Sequence, residues 1–96
     1  MSKRILLVDD EEGIRTVLGI SLTDSGYEVL KAGGGAEALR LFRDQKPHIV
    51  LTDIKMPGMD GIQVLQKIKE ESPETEVIMI SGHGDMDLAI ESLKYG

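Results

Sequence analysis

Four short apolar runs recur along the chain: Ile5-Leu6-Leu7-Val8, Tyr27-Glu28-Val29-Leu30, Ile49-Val50-Leu51 and Val77-Ile78-Met79-Ile80. Their length and β-branched content read as strands. Between them the apolar period changes. Ile14, Val17, Leu18, Ser21 and Leu22 follow the i, i+3, i+4, i+7, i+8 spacing of one buried helix face, and Ala38, Leu39 and Phe42 do so over a shorter span. Ile62, Leu65 and Ile68 mark a third helix, and Met86, Ala89, Ile90 and Leu93 a fourth. The predicted order is βαβαβαβα.

The first, third and fourth runs are apolar at successive positions, so both faces of those strands are covered. That pattern belongs to a parallel sheet sandwiched by helices, a doubly wound α/β fold. The punctuation agrees: Ser25-Gly26 closes the first helix, Lys46-Pro47 the second and Ser72-Pro73 the third, while Asp60 and Asp85 stand where N-caps belong. The spacing of βα units carries no repeated side-chain signature and is a fold period only. Residues 1–96 are read as one domain.

Composition narrows the partners more than the fold. Seventeen acids against eleven bases give a formal charge of −6, which disfavours nucleic-acid backbones and acidic membrane surfaces as direct ligands. No apolar run approaches the ~20 residues that span a bilayer. The chain has no cysteine, hence neither a disulfide framework nor a thiolate metal site, and no secretory segment follows Met1-Ser2-Lys3-Arg4; a cytoplasmic location is expected.

Open α/β sheets bind ligands beyond the carboxyl ends of their strands. Here the first strand runs out into Asp9-Asp10-Glu11-Glu12, the third into Thr52-Asp53 and the fourth into Ser81-Gly82-His83-Gly84. Asp9 and Asp10 have a plain reading as caps of the first helix, and Asp53 as the cap of a turn. Three carboxylates on neighbouring strand ends would also repel one another unless a cation neutralised them. Oxygen-only donors point to Mg2+ or Mn2+ rather than zinc. An aspartate beside such a cation is a nucleophile toward phosphorus, which makes Asp53 a candidate acceptor. Ser81 is either a turn hydroxyl or a donor to a phosphoryl oxygen. His83 is read as solvated, and Gly33-Gly34-Gly35 as a βα turn without the spacing of a nucleotide fingerprint.

Taken together, "ILLVDDEEGIR", "HIVLTDIKMPGMDG" and "VIMISGHGDMDLAIESLKYG" resemble the receiver domain of bacterial two-component response regulators, over the whole chain. The last segment is most similar to receivers of the nitrogen-regulation type, which often precede an ATPase and a DNA-binding domain in sigma-54 activators. The resemblance implies a flavodoxin-like sheet and a signalling switch, not an enzyme. It implies Asp53 as phosphoacceptor, Asp10 as direct Mg2+ ligand, Asp9 as a neighbour acting largely through water, and the backbone carbonyl of Lys55 as a further ligand. Ser81 would be the switch hydroxyl, with Pro57 and Gly61 shaping the acceptor loop. The phosphodonor would be a histidine kinase, and the output transcription control.

One departure stands out, since the chain stops at Tyr95-Gly96 where the family continues through a fifth strand and helix. The expected strand order is therefore 2-1-3-4, with Val77 to Ile80 as an apolar edge and a bare face near the first and third strands. On that view the isolated chain is marginal as a monomer and forms homodimers or exchanges elements through the fourth-strand edge. The family's lysine partner of the acceptor has no counterpart here, which keeps a second reading open: a phosphorylation-impaired fragment acting as an interaction module. A Mg2+-dependent phosphohydrolase fits less well, because its two first-strand acids are separated by one residue whereas Asp9 and Asp10 are adjacent.

Overall fold

A computed structural model describes residues 3–80. In chain order the elements are β1 (Arg4–Val8), α1 (Glu12–Asp24), β2 (Glu28–Ala32), α2 (Gly35–Gln45), β3 (Ile49–Asp53), α3 (Gly61–Glu71) and β4 (Glu76–Ile80). The expected fourth helix, Met86 to Leu93, and its cap Asp85 lie outside the described residues.

All strand pairs are parallel, in the order β2-β1-β3-β4. The two central strands are the two most buried, with four of the five residues in each shielded from solvent. Alternation along them divides the core. Leu6, Val8 and Val50 face Ala38, Leu39 and Phe42 of α2 and Val64 and Ile68 of α3. Ile5, Leu7, Ile49 and Leu51 face Leu18 and Leu22 of α1. This two-residue period places one helix on one side and two on the other, as a doubly wound sheet requires.

The expected bare face beside β1 and β3 is not observed: Ile5, Leu7, Ile49 and Leu51 are all buried, packed with Leu18 and Leu22. Among the described residues apolar exposure falls on the helices instead, at Ile62 of α3 and more strongly on α1. Val17, predicted to lie on the buried stripe, is 64% exposed, and Ile20 is 59% exposed. Each residue advances roughly 100° round a helix, so a stripe centred on Leu18 and Leu22 has two possible edges. The structure takes the edge containing buried Gly19, where the stem of Lys31 crosses so closely that a Cβ would stand 2.6 Å from Lys31 Cε. Rotation toward that side turns Val17 outward.

Loop chemistry follows the predicted punctuation. Lys46 ends α2 in the left-handed region at φ 47°, and Gly26 after α1 has φ 96°. Asp60 caps α3 in a complete capping box: its Oδ1 accepts from Gln63 N at 2.9 Å, and Gln63 Oε1 accepts from Asp60 N at 3.0 Å. β4 forms an edge among the described residues, with Val77, Ile78 and Met79 half-buried. No helix among the described residues is long and apolar enough to cross a membrane.

Candidate functional site

Register explains why the acids meet. Val8 pairs with Thr52 across β1 and β3, so the residues that follow, Asp9 and Asp53, leave the sheet side by side. Asp9, Asp10 and Asp53 each offer a carboxylate oxygen, and these oxygens lie within 4.8 Å of one another. Asp9 is buried, Asp53 half-buried and Asp10 exposed, so the cluster opens to solvent on one side.

The helix-capping alternative for Asp9 and Asp10 is not realised. The residue preceding α1 is Glu11, and it makes no side-chain cap. Asp9 Oδ1 instead accepts from Glu11 N at 2.9 Å, within the loop. Asp9 Oδ2 is buried and has no hydrogen-bond partner among the described residues. A buried oxygen without a partner costs on the order of 1–3 kcal/mol, more when charged. Burial accordingly pushes the Asp9 carboxyl above its ordinary range; the Glu11 N–H opposes this, and the nearby charges of Asp53, Asp10 and Glu11 add to it. Asp53 Oδ1 accepts a long bond, 3.4 Å, from Lys55 N, a weak form of the turn cap expected for it.

The β3–α3 loop presents Asp53 through one close approach. Gly61 N donates to Ile54 O at 2.9 Å, and a Cβ at Gly61 would stand 2.1 Å from the carbonyl oxygen of Asp53. Only glycine permits that contact. Between the two ends, Gly58 turns at φ 75° and Met56 is buried beneath the loop. Met59 lies against Gly35 at the start of α2, where a Cβ would meet the Met59 side chain at 2.7 Å.

One residue near the site carried no sequence signal. Arg15 Nη1 donates to the main-chain oxygen of Asp9 at 2.6 Å. Ser81, with Gly82 and His83, lies outside the described residues.

The donor set fits a hard divalent cation. Among the described residues it offers three carboxylates and no nitrogen or sulfur, and one carboxylate oxygen is buried with no partner there to satisfy it. Asp9, Asp10 and Asp53 are the residues that would hold the ion, with one side left to water or to a second ligand.

A doubly wound parallel sheet with an acidic rim at its carboxyl end defines an α/β domain that binds ligands beyond its strand tips. Comparison with known proteins narrows this. The description "Response regulator receiver domain" matches residues 5–96, and the chain belongs to that family. It is 38% identical over 96 residues to sporulation initiation phosphotransferase F of Bacillus subtilis (strain 168), covering 100% of this chain and 77% of that protein. It is 40% identical over 93 residues to the regulatory protein AtoC of Escherichia coli (strain K12), covering 97% of this chain but only 20% of AtoC. Among solved structures, the response regulator TrrA of Thermotoga maritima, in complex with Mg2+-BeF, superposes with a TM-score of 0.87 at 29% identity, covering 97% of each chain. NtrX of Brucella abortus superposes with a TM-score of 0.80 at 39% identity, covering 100% of this chain and 22% of NtrX.

Proposed function

We propose that this chain is a phosphoryl-accepting switch in which Asp53 takes a phosphoryl group from a histidine kinase in the presence of Mg2+. The observation that carries the reading is the buried, unpartnered oxygen of Asp9 within a three-carboxylate cluster. Family membership and the Mg2+-BeF complex of TrrA support the same ion.

Asp9 and Asp10 hold the cation, with Asp53 and the carbonyl of Lys55 completing the protein ligands. When bound, the cation supplies the positive charge that lets a phosphoryl group approach three acids. Asp53 does the chemistry. A carboxylate oxygen attacks phosphorus, and the P–O bond forms as the P–N bond of the phosphohistidine breaks, the electron pair leaving with the imidazole. Asp53 is half-buried, so part of its surface remains accessible to a phosphodonor. Ser81 donates to a phosphoryl oxygen, and the added charge reorganises the loops. The role is cytoplasmic signalling with an output in transcription control, as the kinship to AtoC supports.

Incubation with Mg2+ and acetyl phosphate, followed by intact mass measurement, gives a labile phosphoryl adduct that is absent in Asp53→Asn. An adduct surviving that substitution overturns the assignment of the acceptor. Half-buried Val77, Ile78 and Met79 on the β4 edge favour a second reading, an interaction module that pairs two copies along that strand. It predicts a dimer by light scattering and no adduct.

A further inference from the structure

We infer that Arg15 is a positioning residue for the acidic rim: it clamps the main chain of Asp9 and thereby leaves the Asp9 carboxylate free to face a cation. The inference rests on the cation site proposed above. An arginine in the first turn of the helix that follows two aspartates would ordinarily pair with one of them, since its planar fork matches a carboxylate. Here it does not. Its Nη1 donates to Asp9 O at 2.6 Å, and among the described residues it makes no ion pair with Asp9, Asp10 or Asp53.

Three further bonds make the clamp specific. Asp9 N donates to Ala32 O at 3.1 Å, tying the same residue to the end of β2. Asp9 Oδ1 is fixed by Glu11 N at 2.9 Å, and Oδ2 has no partner among the described residues. Gly33 N donates to Glu37 Oε1 at 2.7 Å, holding the turn that follows β2.

Gly33 also gives the guanidinium its room. A Cβ there would lie 3.3 Å from Arg15 Nη1 and 3.8 Å from Glu37 Oε1. The first glycine of the Gly33-Gly34-Gly35 run thus acts as a slot for Arg15 rather than as a phosphate cradle.

The oxygen that Arg15 holds belongs to the peptide joining Asp9 to Asp10, so fixing it sets the direction in which Asp10 leaves the loop. Groups that orient ligands from behind typically change metal affinity 10–100-fold when removed. The sign separates this role from a purely electrostatic one. Loss of a positive charge beside three acids tightens cation binding, whereas loss of a clamp weakens it.

The test is calorimetric titration of the chain with MgCl2, with circular dichroism confirming that each variant is folded. Arg15→Ala weakens Mg2+ binding about tenfold or more. Arg15→Gln, which loses the charge and ends short of the Nη1 position, also weakens binding, by less than Arg15→Ala. Gly33→Ala, which crowds Nη1 with every charge unchanged, weakens binding in the same direction as Arg15→Ala and by less. Tighter binding in Arg15→Ala and Arg15→Gln alike overturns the inference, as does unchanged binding in Arg15→Ala. Where Arg15→Ala is unfolded, Arg15→Gln binding tighter than the unsubstituted chain overturns it. Failure of the unsubstituted chain to bind Mg2+ overturns the cation site itself, a result distinct from all of these.

Discussion

The two ends of this sheet treat charge in opposite ways. At the amino end cations and acceptors are matched. Arg4 pairs with Glu28 at 3.3 Å across the starts of β1 and β2, and Arg43 grips Glu71 through three bonds, the shortest 2.7 Å, between the last turns of α2 and α3. Lys69 donates to the carbonyls of Pro73 and Thr75 where the chain turns into β4. At the carboxyl end three acids converge, and the nearest arginine holds a carbonyl instead of a carboxylate. One end is built to be satisfied by the chain, the other by something the chain must acquire.

This contrast predicts opposite responses to pH. The Arg43 hydrogen bonds hold the Glu71 carboxyl below its ordinary value of 4.5, so its contribution to stability is present above that pH and is lost as pH falls through the lowered folded value. Asp9 is raised above its ordinary 3.8, chiefly by burial. In the metal-free protein its penalty is absent below pH 3.8 and grows as pH rises through the higher folded value. Within its own window each end responds oppositely, the amino end gaining stability as pH rises and the rim losing it.

The largest break in the comparison comes from Gly61→Ala. The new Cβ would lie 2.1 Å from Asp53 O, so the acceptor loop must move, and we expect a loss of about 3 kcal/mol, read from the urea midpoint. Asp60→Ala removes the capping box from α3 at the same end, a loss of about 1 kcal/mol by the same measurement. Arg43→Met breaks the exposed clamp at the other end and has the smallest effect; that loss shrinks further in high salt, whereas the Gly61→Ala loss does not. Were the clamp the more costly to break, the amino end would be the fragile one and the contrast would fail.

Much of this was legible in the sequence. Alternation and helical period gave four strands, the three described helices and a parallel sheet, because burial on both faces leaves a continuous apolar run, whereas the strand order came from the family resemblance. The acids were legible because they follow such runs directly. Val17 was misplaced because a stripe fixes a helix face only to within a residue or so, and the side chosen depends on Lys31 crossing Gly19. Arg15 was invisible because its partner is a backbone oxygen, which every residue has. Gly61 could be assigned to the loop, but its reason, a carbonyl where a Cβ would be, exists only once the loop closes on Asp53.

The central claim, that the rim is held in tension until a cation arrives, is tested most directly by thermal unfolding of the unsubstituted chain and Asp9→Asn at neutral pH, each with EDTA and with Mg2+. Asparagine keeps the acceptor for Glu11 N and removes the buried charge. With EDTA the variant unfolds at the higher temperature. With Mg2+ at about a hundred times its Kd the unsubstituted chain gains about 2.7 kcal/mol, while the variant shifts far less, so the order reverses. A variant less stable than the unsubstituted chain in EDTA, or one that Mg2+ stabilises equally, would contradict the account.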